Sequence, residues 1–512
     1  MLVKTYGSAV YGIEATTITI EVNISGGTKY YIVGLPDNAV KESLRRIESA
    51  LSSSGFRMPR QKIVVNLAPA DIRKEGSSYD LAIAVAILAS SKQTEASLLS
   101  ELVILGELSL DGSIQPIKGA LPIALQAARD GFKGILLPLA NAREAAVVPG
   151  LQVYGIQHIK EAVDFISNKQ PLDRVTVDTK ADFLNNINDY EVDFADVQGQ
   201  ENIKRALEIA AAGGHNAVLI GPPGSGKTML AKRLPTILPP LSLEESLETT
   251  KIHSVAGKLG IAESLMTTRP FRAPHHTISD VALVGGGHQP QPGEISLAHN
   301  GVLFLDELPE FKRTVLEVLR QPLESRNMAI SRARFSVNYP ASFILIAAMN
   351  PCPCGFYNHP QKDCLCNPGM VQKYVSKISG PLLDRIDLHV EVTPVDFTQL
   401  TATRPAEKSA AIRDRVAAAR EWQAERFKTL PNVHCNAQMT PRQVRETCHI
   451  STAGQALLKA AMERLGLSAR AYDRILKVSR TIADMERSTD IQTAHLAEAI
   501  QFRSLDRRGW AE

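Results

Sequence analysis

The sequence predicts an α/β protein in three parts: a central domain on a parallel sheet, another α/β domain ahead of it, and a helical domain behind. Three observations lead there. Apolar runs end in turns carrying glycine or acid before helix-compatible segments, as in Val218-Leu219-Ile220 before Gly221 and Val302-Leu-Phe-Leu305 before Asp306. Residues 1 to about 166 carry strand and helix patterns of their own. From about Asp396 the chain turns helical, and Glu407 to Phe427 is rich in Ala, Arg and Glu, which have high helix propensity. A chain of 512 residues accommodates about three domains, each able to bury a core.

Composition excludes several classes. Hydrophobic residues at 44% and a net charge of +3 describe an ordinary globular chain, so any nucleic-acid surface must be local. Six cysteines are too few for a disulfide framework at this length, although four of them cluster. The first residues lack the charged segment and apolar stretch of a signal peptide. The longest apolar runs, such as Leu81–Ala89, fall far short of the roughly 20 residues that span a bilayer. The expectation is a cytoplasmic protein with no membrane partner.

The stretch from Asn216 to Thr228 organises the chain. The apolar run breaks into Gly221, Pro222, Pro223, Gly224, Ser225, Gly226, Lys227 and Thr228, and a helix-compatible segment follows. This is the strand, phosphate loop and helix of a P-loop nucleotide-binding protein. Its glycines let backbone N–H groups close around phosphate oxygens. Lys227 suits the β- and γ-phosphates of ATP, and Thr228 suits Mg²⁺. The alternative is a chance match to a glycine-rich turn.

Ahead of the loop, Thr17 to Asn23 alternates as a half-buried strand, and Gly26-Gly27 turns into Tyr30–Val33. Val40, Leu44, Ile47 and Leu51 mark one face of a helix. Strand-like runs recur at Lys62–Leu67, Leu102–Leu105 and Gly134–Leu137, with a helix at Tyr79–Leu88. Asn66 to Ser78, Gly106 to Gly112 and Gln115 to Gly119 together resemble the proteolytic domain of Lon proteases, with the ribosomal S5 domain 2-like fold that this implies. The nucleophile position falls on Ser78 and the lysine position on Leu121, which cannot act as a base. The expectation is a Lon-like domain over residues 1–166 without peptidase chemistry, with Ser78 a helix N-terminal residue. Residues 167–190 are polar and read as a linker.

Residues 191–395 carry the other parts expected of a nucleotide-hydrolysing core. Asp196 to Leu207 is a turn into an amphipathic helix, and such a segment contacts adenine in AAA+ ATPases. The strand Gly301–Leu305 ends in Asp306 and Glu307. The first acid suits a Mg²⁺ site; the second suits a general base that orients water against the γ-phosphate. A further strand, Ser342 to Met349, ends in Asn350, where AAA+ proteins place the sensor-1 amide. Solvated acids and a turn asparagine are the bland readings.

Four motifs narrow the family. Arg269 to Ser279, Gly285 to His288, Pro292 to Asn300 and Asn350 to Gly355 together resemble the YifB/ComM family of magnesium chelatase-like AAA+ proteins, over essentially the whole chain. The resemblance implies a helix-2 insert, a homo-hexameric ring with central hairpins, and an ATP-driven DNA helicase that promotes branch migration in recombination or DNA uptake. Within it, Glu324 to Asn338 matches a presensor hairpin. Arg326, Arg332 and Arg334 there either grip DNA phosphates, form a solvated face or reach the neighbour's nucleotide. His275 to His288 would form the inserted helix and hairpin. The adjacent pair His275 and His276 suits packing or a subunit contact better than a metal, because neighbours in a strand point apart. Arg385, in Gly380 to Asp387, resembles an arginine finger; the alternative is an intrachain pair with Asp384 or Asp387.

Cys352, Cys354, Cys364 and Cys366 form C-x-C-x₉-C-x-C, which suits Zn²⁺, reduced structural thiols or a labile disulfide. Behind Asp396, Thr440-Pro441 and Ser468-Ala469 look like helix starts. Ser468 to Leu476 resembles the sensor-2 helix of a C-terminal helical lid (396–512), with Arg470 at the γ-phosphate or Arg474 in its place. A remodeller of protein complexes, such as a chelatase motor or chaperone, is the alternative to a DNA motor. An ATP-dependent protease is a third reading, opposed by Leu121.

Overall fold

Five central strands run parallel, and their C-terminal ends line up along one edge. The computed structural model describes residues 2–503 apart from 96, 187–189, 261–262, 288–289, 333–334, 360, 394–405 and 431–432. The central sheet orders Phe271–Arg272, Val302–Leu305, Ile344–Met349, Ala217–Ile220 and Leu388–Glu391. Ile220 pairs with Met349 on one side and Glu391 on the other, and Leu305 pairs with Ala347. Gly221, Asp306 and Asn350 therefore leave the sheet on the same side, where a parallel sheet presents its ligand site. The strands Ala217–Ile220, Val302–Leu305 and Ile344–Met349 are buried throughout, so their continuous apolar runs reflect helices on both faces.

The N-terminal part is a seven-stranded mixed sheet. Its order is Tyr30–Val33, Lys62–Ala68, Glu14–Ser25, Leu2–Tyr11, Leu102–Ile104, Gly134–Pro138 and Gln152–Ile156. Leu2–Tyr11 pairs antiparallel with Glu14–Ser25 along its whole length. Its inward side chains include Val3 and Thr5, and Thr5 donates to the Ala82 carbonyl. Gly7 is pressed so close to Tyr79 that a Cβ would lie 3.2 Å from the ring. Small and polar inward residues hid this strand from the apolar pattern. The helix Asn38–Ser53 buries Val40, Leu44, Ile47 and Leu51 as expected.

Two local readings are corrected. Ser78 is not a helix N-terminal residue: the helix is Asp80–Ser90 with Tyr79 at its cap, and the Ser78 carbonyl accepts from Gly106 N–H. The segment read as a linker contains the helix Thr179–Asn186, anchored by buried Phe183 and by an Asp182–Arg143 pair at 3.3 Å. One buried aromatic leaves no periodicity to detect. Leu121 is fully buried, its amide donating to Glu144.

The C-terminal helices are Ser409–Phe427, Pro441–Thr447, Thr452–Leu465, Ala469–Met485 and Thr493–Gln501. Thr440 and Ser468 cap two of them through their side chains, as expected. Ala469–Met485 buries its second half in a core shared with the helix Glu201–Gly213 and the central sheet. The N-terminal sheet also reaches the central domain. Its Gly12 turn, at φ +65°, meets Val337, and Ile13 packs with Ile330, Val337 and Tyr339. Among the described residues, no helix is long and apolar enough to cross a membrane.

Candidate nucleotide site

The phosphate loop bridges Ile220 and the helix Lys227–Ile237. Gly224 and Gly226 stand at φ +76° and +84°, a region that side-chain-bearing residues seldom occupy. A Cβ on Gly224 would meet nothing within 4 Å, so the loop leaves open space there. Gly226 caps the helix without a side-chain acceptor for its first-turn N–H groups. An uncapped helix start behind a glycine loop fits an anion. The Lys227 ammonium is enclosed within the loop, donating to the carbonyls of Gly221 at 2.7 Å and Pro222 at 2.8 Å. Burial pulls its pKa below the ordinary lysine value, against the opposing charge of Asp306. Gln200 donates to the Ser225 carbonyl at 2.7 Å and ties the turn before the helix Glu201–Gly213 to the loop.

The neighbouring strand ends supply the rest. Thr228 Oγ1 donates to Asp306 Oδ2 at 2.7 Å, which brings together the two oxygen ligands expected for Mg²⁺. Glu307 stands in the left-handed region at φ +53°, a strained position for a glutamate. Its carboxylate lies 3.0 Å from His276 Nδ1. Asn350 Oδ1 is 3.4 Å from Lys227 Nζ. Glu307 and Asn350 line a cavity of about 520 Å³ together with Pro353, Lys373, Tyr374 and Lys377. The sequence reading does not single out Gln200 or Tyr374, and it gives His276 no carboxylate partner. His275 instead contacts Thr277 at 2.9 Å.

The arginines are distributed differently from expectation. Arg385 is buried and pairs with Glu324 at 2.5 Å, and its Nη1 donates to the Pro381 carbonyl. Neither acid named as its alternative partner is available. Asp384 is paired with Arg470 at 3.2 Å, and Asp387 with Arg474 at 2.9 Å and His215 at 3.2 Å. Arg470 and Arg474, one helical turn apart, thus both hold the segment Asp384–Asp387. Arg326 sits at the root of the hairpin Asn327–Arg332/Phe335–Pro340, donating to Ser342, and burial lowers its pKa. Arg332 ends the first strand; Arg334 lies outside the described residues. The inserted segment holds a short helix, Asp280–Val284, and a ladder between Gly285–Gly286 and Gln291–Pro292, while His288 lies outside the described residues.

The four clustered cysteines converge. Their sulfurs all lie within 4.8 Å of one another, with Cys352 fully buried. Cys352 is 3.3 Å from Cys354 and 3.7 Å from Cys364, and none is in a disulfide.

Known proteins resemble the chain along nearly its whole length. The family described as "Magnesium chelatase, subunit ChlI" matches residues 193–400. "Subunit ChlI of Mg-chelatase" matches residues 20–141, and the ChlI C-terminal family matches 406–503. The uncharacterised protein YifB of Salmonella typhimurium is 45% identical over 504 residues, covering 98% of this chain and 96% of that one. The competence protein ComM of Haemophilus influenzae is 44% identical over 506 residues, covering 98% and 97%. The peroxisomal Lon protease homolog 2 of Caenorhabditis elegans is 31% identical over 145 residues, covering 27% of this chain and 18% of that protein. The chain belongs to the YifB/ComM family of magnesium chelatase-like proteins.

Proposed function

We propose that the chain is an ATP-hydrolysing AAA+ motor that assembles as a homo-hexamer and drives branch migration of DNA. The convergence of Lys227, Thr228, Asp306, Glu307 and Asn350 on one sheet edge carries this reading. Backbone N–H groups of residues 224–228 and the Lys227 ammonium bind the triphosphate. Thr228 and Asp306 hold Mg²⁺, which neutralises charge on the phosphate oxygens. Glu307 orients the attacking water and accepts its proton, and Asn350 fixes the water's position. Arg385 acts on the neighbouring subunit's nucleotide after leaving Glu324, and Arg470 reaches a γ-phosphate as the lid closes, after leaving Asp384.

DNA as the substrate is supported by the hairpin, where Arg332 and Arg334 remain the candidate phosphate contacts, and by a full-length relative named for competence. Arg326 is not retained, because it is engaged at the hairpin root. Zn²⁺ in the four-cysteine cluster belongs to the same reading. A motor acting on protein complexes is the second reading, favoured by the small net charge of +3. The deciding experiment supplies forked and four-way DNA with ATP and follows strand exchange, with Glu307→Gln as the control. ATP-dependent exchange supports the DNA motor; exchange equal to the control sets it aside.

A further inference from the structure

The four-cysteine loop is built into the wall of the nucleotide site. The chain leaves the sheet at Asn350, runs through Cys352 and Cys354, and places Gly355 on the phosphate loop. Gly355 stands at φ +84°, and a Cβ there would lie 2.6 Å from Pro223 Cδ. The chain returns through Cys364 and Cys366, and Asn367 then caps the helix Pro368–Val375. Tyr374 of that helix and Asn350 line the same cavity. Pro353 and Tyr374 line the cavity that contains Glu307 and Asn350. The segment between Asn350 and the helix therefore meets the phosphate loop at Gly355 and shares a cavity wall with Asn350.

The sulfurs suit one tetrahedral ion. Zn–S bonds of about 2.3 Å imply sulfur–sulfur edges of about 3.8 Å. The measured edges among Cys352, Cys354 and Cys364 are 3.3, 3.7 and 3.6 Å. The loop between them offers little apolar material: Phe356 is only half-buried and Leu365 is 88% exposed. Its shape must come from the cysteines rather than from a core.

We infer that a zinc ion in this cluster braces the phosphate loop, so that ATP affinity depends on zinc through the Gly355–Pro223 contact. The inference rests on the zinc reading proposed above. Zinc closes the loop, the closed loop seats Gly355 against Pro223, and that contact keeps the glycine-rich turn open for phosphate. Without the ion, the loop no longer holds Pro223.

The test uses the full-length protein, zinc analysis, and the affinity of a fluorescent ATP analogue. Wild type is expected to carry one zinc per chain. Removing it with a thiol-reactive mercurial and chelator, followed by thiol reduction, should weaken the analogue by about tenfold or more, and added Zn²⁺ should restore binding. Gly355→Ala leaves every cysteine in place and should retain zinc while losing comparable affinity, which separates the brace from simple unfolding of stripped protein. Zinc present with unchanged affinity after its removal, or Gly355→Ala binding as wild type, overturns the brace but leaves the zinc site standing. Absence of zinc overturns both.

Discussion

Glu307 and His276 face each other with 3.0 Å between the carboxylate and Nδ1. His276 precedes the helix Asp280–Val284, so this contact joins the segment proposed as an insert to the residue proposed to activate water. A carboxylate held by an imidazole is less free to turn toward the nucleotide. We predict that His276→Ala raises the DNA-free ATPase rate severalfold and narrows the gain on adding DNA. A rate that falls instead would mean the histidine aligns Glu307 for catalysis.

Lys227 and Glu307 should separate binding from chemistry. Lys227→Ala removes charge-assisted contacts worth about 1.5–3 kcal/mol each, so ATP affinity should fall roughly 10- to 100-fold. Glu307→Gln should bind ATP as wild type and hydrolyse it about 100-fold more slowly or worse. Equilibrium binding and single-turnover hydrolysis check the pair. Tight ATP binding by Lys227→Ala would contradict the phosphate-loop assignment.

Arg385 is tethered to Glu324, the residue just ahead of the hairpin root at Arg326. If Arg385 serves the neighbouring subunit, Arg385→Ala should lose about 10³-fold or more in turnover, the range of arginine fingers. Mixing it with Glu307→Gln subunits should restore part of the rate. Glu324→Gln should release the arginine and raise the rate of the assembled ring. No recovery at any mixing ratio argues against a finger supplied by the neighbour.

Asp387 predicts a stability effect distinct from catalysis. Burial alone would raise its pKa, but Arg474 and His215 hold it well below the usual carboxylate range. Its folded-state pKa is depressed, so its contribution is present above the unfolded value of about 3.9 and is lost as pH falls through the lower folded value. Stability from this group should stay level near neutrality and decline below about pH 4. Asp387→Ala strands Arg474 and His215 and should cost about 3–5 kcal/mol by chemical denaturation at neutral pH. A cost under about 1 kcal/mol would show that those partners find other acceptors.

Much of the candidate nucleotide site was legible because its chemistry is local. Gly224, Gly226, Lys227 and Thr228 fall within five residues of one loop, and buried parallel strands announce Asp306 and Asn350 by ending in polar residues. The arginine network was not legible. Which acid Arg385 meets depends on how the hairpin root approaches Gly380–Leu383, and on Arg470 and Arg474 having taken Asp384 and Asp387. Leu2–Tyr11 escaped because its inward face uses Thr5 and Gly7 in place of large apolar residues. The cysteines gave their spacing but not the contact of Gly355 with Pro223, which depends on the fold of the whole loop.

The measurement that bears most directly on the central claim is the steady-state ATPase rate with and without single-stranded and branched DNA, across a range of salt, with Glu307→Gln as the blank. The account predicts a Glu307-dependent rate that DNA raises severalfold, with the gain fading as salt screens phosphate contacts. A rate indifferent to DNA at every salt concentration would contradict the DNA motor, and a wild-type rate equal to the Glu307→Gln blank would contradict the ATPase itself.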